Sequence, residues 1–113
     1  MTLDVARRNS RAHEDPEKKV EEYLEKRIND LSGLAWKFVS PGTTGVPDRV
    51  VMLDGLICFA ELKRPKGGRL SDTQKWRIKQ INQQRIKAYI IKNIEQVDLL
   101  VDSMMRGVLP DEI

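Results

Sequence analysis

Two apolar runs, Arg49 to Leu53 and Leu56 to Ala60, are joined by the pair Asp54-Gly55. Asp-Gly between β-branched and aromatic residues is the strongest short-range signal for a two-residue hairpin, because both central residues of a type I′ turn need positive φ. A turn holding only these two residues fixes the register. Leu53 then faces Leu56, and counting outward pair by pair sets Asp48 opposite Glu61. Facing strand residues hold their Cβ atoms about 4.5–5.5 Å apart, where like charges destabilise. The repulsion is about 1 kcal/mol in water and several-fold more at a partly buried site. Such a pair calls for a cation. Strand alternation puts Lys63 on the face of Glu61, so the open end of the hairpin gathers two acids and an amine.

A chain of 113 residues suffices for one domain that buries about two-thirds of its unfolded surface. The single cysteine, Cys58, excludes an intrachain disulfide and reads as a small core residue in a reducing compartment. No apolar stretch reaches membrane-spanning length and no signal-peptide core is present, so a cytoplasmic protein is expected. The only histidine, His13, lies among scattered arginines. That placement makes a Ser-His-Asp apparatus hard to assemble, and the sequence lacks the cysteine and histidine ligands of zinc sites.

Net charge is +3, unevenly spread. Residues 61–92 hold ten basic side chains against Glu61 and Asp72, a net of +8, whereas residues 93–113 carry five acids and only Arg106. The basic density follows directly on the acid pair. That density suggests a polyanion partner, most simply nucleic acid, and the alternative is a solvated basic face.

Taken in order, residues 1–14 show no periodicity and read as an N-terminal arm. Asp15-Pro16 is a helix start, and Val20, Tyr23, Leu24, Ile28 and Leu31 form one apolar stripe. At 100° per residue, Glu17 projects roughly 45° from the centre of that stripe and Glu21 roughly 85°. Glu17 is therefore nearer the core, although dipole compensation in the first turn also explains it. Ser32-Gly33 ends the helix, and Leu34 to Val39 follows as a strand with Trp36 and Phe38 on one face. Ser40 to Gly45 is a loop, either a plain connector or a cradle for phosphate. The hairpin strands are apolar on both faces, which implies a central sheet covered by helices on each side.

Arg64 to Arg69 is a basic loop. Ser71-x-x-Gln74 is a capping box opening a helix to about Arg85, on which Trp76 either packs against the sheet, the commoner role, or stacks on a base. A fourth strand lies within Lys87 to Ile91. Asn93-x-x-Gln96 caps a last helix with Val97, Leu100, Val101 and Met104 buried. Residues 15–107 form one domain of order αβββαβα, and residues 108–113 a tail.

Pro47-Asp48, Glu61 and Glu61-Leu62-Lys63 resemble the signature of PD-(D/E)XK nucleases. The fuller pattern, with Glu17, Gly45-Val-Pro-Asp48 and Leu70-Ser-Asp-Thr-Gln74, resembles their VRR-NUC branch over residues 15–92, in its compact stand-alone form. That resemblance implies an α/β, restriction-endonuclease-like αβββαβ core with a C-terminal helix and a central mixed sheet flanked by helices. It implies Mg²⁺, with Mn²⁺ as substitute, held by Asp48, Glu61 and the Leu62 carbonyl. Lys63 becomes the catalytic amine, Glu17 the helix-borne acid with Glu21 in reserve, and Gln74 a neighbour of the site. Arg64, Lys66, Arg69, Lys75 and Lys79 would bind nucleic acid. The expected activity is a structure-specific DNA endonuclease, acting as a homodimer on branched DNA such as four-way (Holliday) junctions. The alternatives are a flap nuclease or exonuclease using the same residues, and a non-catalytic DNA-binding module.

Overall fold

The computed structural model describes residues 16–113; the arm, His13 and the Asp15 cap lie outside the described residues. The elements are α1 (Pro16–Asp30), β1 (Leu34–Lys37), β2 (Arg49–Leu53), β3 (Leu56–Leu62), α2 (Asp72–Gln83), β4 (Ala88–Ile91) and α3 (Ile94–Met105). The four strands form one sheet in sequence order. β1 and β3 run antiparallel to β2, and β4 runs parallel to β3. This is the mixed α/β sheet expected.

The hairpin obeys its turn. Asp54 and Gly55 have φ of 45° and 86°, and the register runs from Leu53 opposite Leu56 to Arg49 opposite Ala60. β1 is shorter than Leu34 to Val39, but its ladder extends one bond further, from Phe38 N–H to the Asp48 carbonyl at 2.7 Å. α1 ends on Ser32, at φ 64°, and not on a glycine. Gly33 serves close packing instead: a Cβ there would stand 2.7 Å from the Met52 carbonyl oxygen. The capping box of α2 forms as expected, and Arg85 supplies the left-handed residue beyond it. In α3, Asn93 accepts from Gln96 N–H, whereas the Gln96 side chain reaches back one residue further, to Lys92 N–H.

One core cluster lies between one sheet face and the pair α1 and α3. Val51, Leu53, Cys58, Ala60, Leu62, Tyr89 and Ile91 meet Val20, Leu24 and Ile28 of α1 and Val97, Leu100, Val101 and Met104 of α3. Between the two helices, Asp98 accepts from Tyr23 Oη and Arg27 Nη1, both at 2.6 Å. These two donors hold the Asp98 carboxyl below its usual range, the tyrosine hydroxyl most. Leu109 and Ile113 also pack on the core.

The expectation that both faces are covered needs correction. On the acid side, Leu34, Trp36 and Ile57 are 41%, 58% and 46% exposed, and Val50, Met52 and Phe59 are half-buried. A single helix about 10–12 Å wide cannot roof four strands spaced about 4.8 Å apart. α2 lies nearest β4, and Ile78 is its only buried residue.

Candidate active site

Asp48 sits one residue before β2, and Glu61 is the penultimate residue of β3, so the hairpin register brings them together at the sheet end. Leu62 N–H donates to Asp48 Oδ2 at 3.0 Å, in place of the ladder bond that β2 no longer supplies. The N–H and C=O of a strand residue leave on the same side, so the Leu62 carbonyl also points toward Asp48.

Glu61 is only 1% exposed. Its Oε2 accepts from Gln74 Nε2 at 3.1 Å and pairs with Lys63 Nζ at 3.4 Å. Its Oε1 is buried and has no hydrogen-bond partner among the described residues. Burial first, and then the neighbouring Asp48 charge, push the Glu61 carboxyl from 4.5 up to about 7, against the pull of Lys63. The predicted constellation of two acids and an amine thus exists, and one of its oxygens lacks a donor.

Gln74 uses both ends of its amide. Oε1 accepts from Ser71 N–H at 2.9 Å while Nε2 reaches Glu61, so the cap of α2 is built into the acid pair. Gly45 locks the loop before Asp48 onto that helix. Its φ is +81°, and a Cβ would stand 2.6 Å from Thr73 Cγ2 and about 3 Å from Thr73 backbone. Arg77 Nε donates to the Thr44 carbonyl at 2.7 Å, and Pro47 behind it is fully buried. The loop is therefore packed on α2 at its Gly45 end, whereas Pro41, Gly42 and Thr44 are exposed and Gly42 has open space around it.

Glu17 lines a cleft of about 350 Å³ with Lys63, Arg64, Gly67, Gly68 and Arg69. It does not join the acid pair: among the described residues, no three His, Cys, Asp or Glu side chains cluster at metal-binding spacing. Glu21, the reserve candidate, is committed elsewhere. It pairs with Arg49 Nη2, which also meets Glu25 at 3.1 Å, while Arg49 Nη1 donates to the Ala35 carbonyl at 2.9 Å.

Sequence reasoning missed this role of Arg49, which is 6% exposed. The signal was available: alternation puts Arg49 on the α1 side, opposite Asp48, and Glu21 and Glu25 are one helical turn apart. Of the basic candidates, Arg64 and Arg69 border the cleft, Lys66 is exposed beside it, and Lys75 and Lys79 are exposed on α2. Trp76 is 50% exposed, so it does not pack against the sheet.

No family model matches the chain. "Putative nuclease p44" of Acyrthosiphon pisum secondary endosymbiont phage 1 is 48% identical over 50 residues, 43% of this chain. The chain spans about half of that relative's length, 54%. A solved structure, "VRR_NUC domain", superposes with a TM-score of 0.73 at 26% identity, covering 79% of this chain and 97% of its own. The sheet order, the acid pair it creates and these likenesses define a PD-(D/E)XK-type nuclease fold. Its architecture is that of the VRR_NUC domain, and the curated relative, about half of whose length the chain spans, is named a nuclease.

Proposed function

We propose that the protein is a Mg²⁺-dependent DNA endonuclease, with Mn²⁺ able to substitute, that hydrolyses phosphodiester bonds in branched DNA such as four-way junctions. The observation that carries this reading is Glu61: a carboxylate 1% exposed, beside a second acid, with Oε1 unpartnered. Leaving a buried acceptor unsatisfied costs about 1–3 kcal/mol or more for a charged group, and a hard cation relieves both that cost and the repulsion from Asp48. The donors fit. Asp48, Glu61 and the Leu62 carbonyl are all-oxygen ligands of the kind Mg²⁺ takes while keeping several waters.

When bound, such an ion supplies charge neutralisation and Lewis acidity toward the scissile phosphate. Lys63 acts from its own position, held by Glu61 on one side of the cleft, where its ammonium orients the attacking water and offsets charge on the phosphorane. Gln74 holds the Glu61 carboxylate in place. Glu17, which lines the same cleft as Lys63, is the helix-borne acid. Arg64, Lys66, Arg69, Lys75 and Lys79 grip the phosphate backbone, and affinity falls with salt as counterions leave.

The open sheet face with Leu34, Trp36 and Ile57 supports a homodimer, in which two sites cut two strands. Among the described residues no helix is long and apolar enough to cross a membrane, and the buried thiol of Cys58 accords with a cytoplasmic setting. A flap nuclease or exonuclease with the same residues differs only in substrate geometry.

A panel of duplex, flap and four-way substrates, each in Mg²⁺, Mn²⁺ and chelator, tests the reading. Metal-dependent paired incisions near a four-way crossover are expected. DNA complexes that form in chelator, with no cutting of any substrate in either metal, would instead leave a non-catalytic binding module.

A further inference from the structure

Trp76 is an aromatic residue that the fold does not use. It lies two residues from Ile78, the only buried residue of α2, and at 3.6 residues per turn two positions rotate the side chain about 200°. It therefore points away from the sheet, half exposed. Lys79 Nζ lies 6.0 Å from the centre of its ring, one turn along, and Lys75 precedes it, exposed. A solvated indole among lysines, within a segment of net charge +8, suits neither a core nor an apolar protein contact. Its complement is a flat, uncharged ring system carried on an anionic backbone.

We propose that Trp76, with Lys75 and Lys79, is a stacking platform for an unpaired base of the DNA substrate. The platform is rigid and indexed to the acid pair. Its helix starts in a complete capping box, Gln74 ties that first turn to Glu61, and Arg77 ties the next to the Thr44 carbonyl. Trp76 is two residues beyond Gln74, about 3 Å of helix rise and about 200° of rotation, so the indole and the acid pair lie on opposite sides of a helix about 10–12 Å wide, a fixed spacing that a single strand must follow around α2. A base seated on the indole thus sets how far from the unpaired position the backbone reaches the acids, and Lys79 meets the adjoining phosphate while polarising the ring. A continuous duplex, whose bases are stacked internally, cannot use this platform. The site rests on the DNA reading above and names the component of the substrate that it recognises.

The chain has two tryptophans, so a Trp36→Phe background leaves Trp76 as the only indole. In chelator, titration with a single-stranded oligothymidylate should quench its fluorescence. Trp76→Ala should weaken binding of the oligothymidylate by about 5- to 150-fold, the range for loss of one base–aromatic stack. Trp76→Phe should retain most of the affinity, Lys79→Gln should lose a smaller part, and affinity for a blunt duplex should change less than about twofold. Equal affinity of Trp76→Ala and its parent for the single strand, or equal losses on both substrates, would overturn the proposal. So would a Trp76→Ala variant that dissociates a dimer in sedimentation while binding the oligonucleotide normally, because the indole would then meet a second copy of the chain. Nicking of a plasmid in Mg²⁺ by the parent protein separates this site from the nuclease reading. Trp76-dependent binding without nicking supports the platform and defeats the enzyme; nicking without any effect of Trp76 does the reverse.

Discussion

Glu61→Gln should make the metal-free protein more stable at alkaline pH and leave it nearly unchanged in acid. The carboxyl is buried and its Oε1 unpartnered, and burial together with Asp48 raises it from 4.5 to about 7. Because the folded value lies above the unfolded one, the stabilising contribution is fully present below about pH 4.5 and is lost as pH rises through about 7. At 1.36 kcal/mol per pH unit, that interval corresponds to about 3 kcal/mol of stability lost by the wild type between pH 4.5 and 8.5. Glutamine has no charge to bury, but its amide still faces the pocket without a partner and surrenders the ion pair with Lys63, so part of the gain is offset. A net advantage of roughly 1–2 kcal/mol at pH 8.5 remains, which at a urea slope of about 1–3 kcal/mol per molar moves the midpoint by roughly 1 M. Urea denaturation in chelator from pH 4.5 to 8.5 reads this directly. Excess Mg²⁺ should then raise the alkaline midpoint of the wild type by mass action and not that of the variant. Parallel pH profiles for the two proteins in chelator would refute the reasoning, because they would mean that Glu61 carries no buried charge.

Arg49→Met should cost about 1–3 kcal/mol, since the Ala35 carbonyl loses its side-chain donor and Glu21 and Glu25 on α1, which keep partial access to water, lose their shared cation; a urea midpoint within experimental error of wild type would contradict that network. Gly45→Ala should destabilise by about 1–3 kcal/mol, because φ is +81° and the new Cβ would collide with Thr73. Gly55→Ala, with a similar φ but open space around it, should cost less, so the difference between the two measures the collision. Cys58, whose thiol burial pushes up to about 12, should react with an aromatic disulfide reagent at neutral pH only at the rate of unfolding; rapid labelling of the native protein would show that β3 is less buried than described.

The hairpin was the most legible part of the molecule. Asp54-Gly55 fixed a register in which each subsequent pair followed by counting, and Asp48 and Glu61 met for that reason alone. Helix caps at Ser71 and Asn93 were legible because they are local chemistry, closed within a few residues. Coverage of the sheet was not. The apolar content of Val50, Met52, Ile57 and Phe59 carries no information about how many helices cross that face, and it shares one helix whose own stripe is thin. Trp76 was misjudged toward the core on its size, although its position opposite Ile78 on the helix already placed it outward. Arg49 was invisible as a structural residue because its partners lie on an element more than twenty residues earlier, and a charge count treats a buried cation like a solvated one. Glu17 and Glu21 were separated only by tertiary structure, which engages Glu21 with Arg49 and sets Glu17 in the same cleft as Lys63.

The central claim is that the buried acid pair and Lys63 make a metal-dependent phosphodiesterase. The most direct test is the initial rate of nicking of supercoiled DNA in Mg²⁺ by the wild type, Glu61→Ala and Lys63→Ala, with DNA affinity of each measured in parallel in chelator. The account predicts cutting by the wild type that stops in chelator, loss of nicking in both variants by at least about 10²-fold, and DNA affinity largely intact. Cleavage at the wild-type level by both purified variants would contradict it.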